Sequence, residues 1–86
     1  MASIQEVVNA AHRIGESADE VQRRTLICAD ALKGHSSRLA MAVKGSRSGM
    51  DAVRQVGVAE RSVRDSAARL LTLQSTIDRF IQDLTK

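Results

Sequence analysis

The chain has 86 residues and a formal net charge of +3; it contains no Pro, Trp or Tyr, one Phe and one Cys. That length leaves room for a single domain with one small core, which a partner commonly has to supplement. A composition rich in helix formers with no proline and almost no aromatics excludes a sheet protein and favours long helices, while a lone cysteine excludes an internal disulfide.

From the N-terminus, Ser3-Ile4-Gln5-Glu6 has the form of a capping box and predicts a helix starting at residue 3 or 4. Apolar and small residues then recur alternately three and four apart: Ile4, Val7, Ala11, Ile14, Ala18, Val21, Thr25, Cys28, Leu32, His35, Leu39 and Ala42. A heptad seam held over that distance predicts one continuous helix about 60 Å long, at 1.5 Å per residue. Gly34 is its weak point, because a glycine inside a helix costs about 1 kcal/mol. The register at Leu32, His35 and Leu39 passes through it unchanged, so a local bend is expected there rather than a loop.

The pattern stops at Val43-Lys44-Gly45-Ser46-Arg47-Ser48-Gly49. Two glycines and two serines supply the left-handed backbone and capping hydroxyls that a reversal needs. Gly45 is expected as the residue directly after the first helix's C-cap, and Ser48, with Asp51 three residues on, as the cap of the second. Val56, Val63, Leu70, Ile77 and Leu84 then stand seven apart, with Ala52, Ala59, Ser66, Leu73 and Phe80 in the complementary positions. The expectation is all-α: an antiparallel two-helix hairpin of about 3–44 and 49–84, in one domain.

Folding about the turn brings Leu39 level with the region of Val56, Cys28 with that of Ser66 and Ile14 with that of Phe80. A two-helix hairpin covers each helix on one side only. Val8, Leu26 and Ile27 on the first arm, with Val53, Leu71 and Ile81 on the second, fall outside this seam and form the expected partner interface, which predicts pairing into a four-helix bundle.

From Lys33 to Arg69 there are eight basic residues against three acidic ones, whereas residues 1 to 32 carry three basic and five acidic. The turn end is therefore positive, with Arg38, Lys44, Arg47 and Arg54 as its basic patch. A polyanion bound there would lose affinity steeply with added salt. No aromatic residue interleaves with these bases and no nucleic-acid-binding motif is present, which disfavours a nucleic-acid partner.

Catalysis, cofactors and metals find no support. His12 and His35 are far apart along one helix and neither has the further ligands that would complete a metal site, and His35 and Cys28 fall on the seam, where a partly buried histidine and a small buried hydrophobe are expected. Glu16, Asp19 and Glu20 read as solvated charge. The first residues lack the basic and apolar regions of a Sec-type signal, and no run of eighteen apolar residues predicts a membrane span. The chain is thus expected to be cytoplasmic when made.

Two long helices joined at a central glycine-containing turn, in a chain of somewhat under a hundred residues, resemble the WXG family of small type VII (ESX) secretion substrates. In that family Trp-x-Gly sits at the turn; here Val43-Lys44-Gly45 stands in its place, followed by Ser46 and Ser48. The C-terminal Tyr-x-x-x-Asp/Glu export signal of many members is missing from Phe80-Ile81-Gln82-Asp83-Leu84-Thr85-Lys86. The resemblance implies a hairpin that dimerises with itself, with a related hairpin or with the helical domain of a larger exported effector. It also implies an adaptor, chaperone or co-substrate carried out without a cleaved signal peptide. The alternative from composition and charge is a small basic nucleic-acid-associated or regulatory coiled-coil protein.

Overall fold

A computed structural model describes residues 2–86. Two helices, α1 (Ile4–Ala42) and α2 (Arg47–Leu84), pack side by side as an antiparallel hairpin 63 Å long, and the described residues contain no strand. Ser3 caps α1 as expected, its Oγ accepting from the Glu6 N–H at 3.1 Å. The helix runs through Gly34 without interruption.

The turn is tighter than the sequence suggested, and its cap is a different serine. The Ser46 N–H donates to the Val43 carbonyl at 2.9 Å, closing a four-residue turn over residues 43–46. Gly45 is third in it with φ +89, and Lys44 has no positive φ, which makes this a type II turn. Gly45 thus adopts the left-handed conformation expected of it, two residues after the C-cap Val43 rather than directly after it. Ser46, not Ser48, caps α2: its Oγ accepts from the Gly49 N–H at 3.2 Å, and Ser48 already lies in the first helical turn. Gly49 is needed for another reason. A Cβ placed there would stand 2.4 Å from the Val43 Cβ, so the end of α1 packs directly on the backbone of α2.

Between the helices the packing uses half of each expected row. Ala11, Ala18, Thr25, Leu32 and Leu39 face inward on α1, as do Val56, Val63, Leu70, Ile77 and Leu84 on α2. Their inward companions, however, are Val8, Gly15, Gln22, Ala29 and Ser36 on α1 and Val53, Glu60, Ala67, Gln74 and Ile81 on α2, each one position along from the expected row. The physical reason is size: Gly15, Ala29 and Ala67 let the two backbones approach, with Ile77 Cγ2 only 3.6 Å from where a Gly15 Cβ would be. Among the described residues the buried apolar side chains are Val8, Ala11, Ala18, Ala29 and Ala67, and no large side chain is completely buried. This is a thin core.

One ion pair crosses between the helices among the described residues. Arg64 donates through Nη2 to Asp30 at 2.8 Å and through Nε to Glu60 of its own helix at 2.9 Å. These two hydrogen bonds, Asp30 first, hold its guanidinium pKa above the ordinary arginine value. With the Gly15–Ile77 contact, the bridge sets the register of the hairpin.

Candidate functional site

The two long sides of the hairpin differ in chemistry. On one, a shallow groove is walled by His12, Glu16, Asp19 and Asp78, with Gly15 and Gln74 at its base. It is acidic, and the Gln74 Nε2 is covered there without a hydrogen-bond partner. Asp30 and Arg64 extend this polar side towards the turn.

The other side is apolar. Val21, Thr25 and Cys28 of α1 and Val63 and Ser66 of α2 line one groove, with Arg24 at its edge. Val21, Cys28 and Ser66 belong to the rows expected inside the seam and found outside it. A seven-residue step is two helical turns less about 20°, so it returns to nearly the same face. Stepping back from Val21 and Cys28 brings Ile14 and Val7 onto this side; stepping on from Ser66 brings Leu73 and Phe80. Ile14 is 54% exposed, Val21 48%, Leu73 40% and Phe80 46%. Both outer rows therefore share one face, and its large side chains lie towards the open end of the hairpin. Towards the turn the same rows continue as His35, Ala42, Ala52 and Ala59, which are smaller or polar and also exposed.

The residues expected to form a partner surface do not share one. Val8 is buried within the hairpin, and Val53 and Ile81 belong to its own inner rows. Ile27 is exposed as expected, on the back of α1, and Leu71 is exposed on the polar side, with Leu26 half-covered. Cys28 and His35, expected on the seam, are exposed; His35 accepts at Nδ1 from Arg38 Nη2 at 2.8 Å. The outer rows were visible as apolar heptads. Periodicity alone does not say which of two adjacent rows faces the sister helix.

At the turn end, Arg38, Lys44, Arg47 and Arg54 are all exposed. They are partly engaged locally, Arg54 with Asp51 at 3.0 Å and Arg38 with His35. No group of three His, Cys, Asp or Glu side chains stands close enough to hold a metal ion among the described residues, and no helix there is long and apolar enough to cross a membrane. Comparison with protein-family models, with curated proteins and with solved structures returned no significant match to this chain.

Proposed function

We propose that this chain is a non-enzymatic interaction module: a helical hairpin that pairs through its apolar face with another hairpin to complete a four-helix bundle. The observation that carries this reading is the exposed stripe of Ile14, Val21, Leu73 and Phe80 on one side of a hairpin whose own core is mostly alanine. A fully buried side chain of that size contributes about 1.5 to 3 kcal/mol, so covering four of them supplies what the alanine seam lacks. In such a bundle Ala11, Ala18, Thr25 and Leu32 would lie along the axis between the inner and outer rows. The resemblance to WXG proteins gives the assembly a biological setting as adaptor, chaperone or co-substrate of type VII secretion, carried by a partner that bears the export signal.

The test is co-expression with hairpin proteins encoded beside it and with the helical domains of larger exported proteins, read by light scattering. A one-to-one complex is expected, lost in Val21→Glu/Leu73→Glu and kept in Ile27→Glu, which alters only the back of α1. A folded monomer that joins none of these proteins, or a complex indifferent to Val21→Glu/Leu73→Glu, would overturn the reading.

A further inference from the structure

We infer that the occupant of the apolar face is a hairpin with carboxylates flanking its own apolar row, and not a second copy of this chain; the inference rests on the pairing reading above. Its basis is the charge along the edges of the face. Arg24 lies three residues after Val21 and four before Cys28, and it borders the groove. Arg38 stands in the same relation to His35 and Ala42, and Arg69 to Ser66 and Leu73. By helix geometry these positions form the outer edges of the two exposed rows. The remaining edge positions are Ala10, Ser17 and Ala31 on α1 and Gln55, Ser62, Thr76 and Asp83 on α2. Three arginines thus face one aspartate, and Asp83 already pairs with Lys86 at 3.5 Å.

The register makes this a band. Gly15 beside Ile77 and Asp30 bonded to Arg64 place Arg24 and Arg69 at the same height, near the middle of the hairpin and on opposite edges of the face. In a parallel twofold dimer the α1 edge of one copy meets the α2 edge of the other, so Arg24 meets Arg69. In an antiparallel one with full overlap, Arg24 meets Arg24 and Arg69 meets Arg69. Either way two pairs of guanidinium groups are brought together, one pair on each edge of the interface at its mid-height. Arg24 has Glu20 at 2.6 Å on its outer side, which softens this, but Arg69 makes no ion pair among the described residues. Like charges brought together in this way select against a partner, and opposite charges speed and orient docking.

The charge-reversed chain, Arg24→Glu/Arg69→Glu, is a probe with the same apolar rows and the opposite edges. Both substitutions are at exposed positions, and circular dichroism verifies that the helices persist. Sedimentation velocity is expected to show association in a one-to-one mixture of unmodified and reversed chains at least about tenfold tighter than the self-association of either, at about 0.05 M salt, with the preference shrinking as salt screens it. Suppose instead that the unmodified chain dimerises as tightly alone as in the mixture, and that Val21→Glu/Leu73→Glu abolishes the dimer. Charge selection is then overturned while pairing through the apolar face stands. If neither chain associates alone or mixed, both the charge selection and the pairing reading fail.

Discussion

Val43 rests its isopropyl group on the bare Cα of Gly49, so that the end of the first helix locks against the beginning of the second. A methyl at Gly49 would overlap three atoms of Val43 at 2.4 to 3.0 Å, too close for relaxation of one side chain to absorb without moving backbone. Gly49→Ala is therefore expected to destabilise the hairpin by roughly 1–3 kcal/mol in urea unfolding, the range for overpacking. Val43→Gly in the same chain removes all three of those atoms, whereas Val43→Ala would leave the nearest, Cβ, in place. The Val43→Gly change should recover part of that loss, giving a double-mutant coupling that a general loss of helix propensity would not produce. Gly57→Ala is the control: its new Cβ meets only the far end of Arg61, at 3.7 Å, and a gain of about 0.5–1 kcal/mol is expected.

The two serines of the turn separate by their hydrogen bonds. Ser46→Ala removes the acceptor for the Gly49 N–H and should cost about 1 kcal/mol, whereas Ser48→Ala should cost less than half as much. Thermal unfolding of the two variants decides between them, and equal losses would contradict the observed cap.

How far the fold was legible depended on which residue carried the signal. Gly34 tempted a loop reading, but the unbroken spacing of Leu32, His35 and Leu39 outweighed it, and the helix does continue there. The same spacing misdirected the inner rows. Val8, Gly15, Gln22 and Ala29 keep the three-four alternation with Ala11, Ala18 and Thr25 just as Val7, Ile14, Val21 and Cys28 do. The more apolar set was the natural choice for the interior. In a two-helix hairpin, close approach over Gly15, Ala29 and Ala67 favours the smaller set, and the larger one is left outside. The candidate face was thus present in the sequence as a set of residues, but its direction was not. The cap lies two residues earlier than expected because Ser46 and Ser48 are equally good caps in isolation; the bonds that distinguish them, Ser46 N–H to the Val43 carbonyl and Gly49 N–H to the Ser46 Oγ, exist only once the turn has closed.

Gly34→Ala follows from the continuous helix. The position is open, with only an Arg38 Nη1 atom 3.9 Å from the added methyl, so the substitution should raise stability by about 1 kcal/mol. A drop of similar size would mean that the backbone there needs glycine's freedom.

Glu60 occupies an inner row with its side chain only 15% exposed, held by Arg64. Glu60→Leu should raise the melting midpoint, because an apolar side chain suits that position and Arg64 keeps its bond to Asp30. Thermal denaturation checks it, and a lowered midpoint would show that the carboxylate is part of what aligns the helices.

Cys28 offers a direct reading of the face. Its thiol is exposed beside Val21 and Ser66, so a maleimide should label the free chain readily. Labelling should slow in the complex with a cognate hairpin, and equal rates in the free and bound chain would place the partner elsewhere.

The thin alanine seam has a consequence for how long a solitary copy survives. Contacts between adjacent arms of a hairpin form quickly, but with no large side chain fully covered they also release readily. A protease that cuts the opened chain samples it in proportion to how often it opens. Docking on the apolar face would keep the arms closed and lower that proportion. On the pairing proposed above, unpaired copies would then be degraded faster than paired ones.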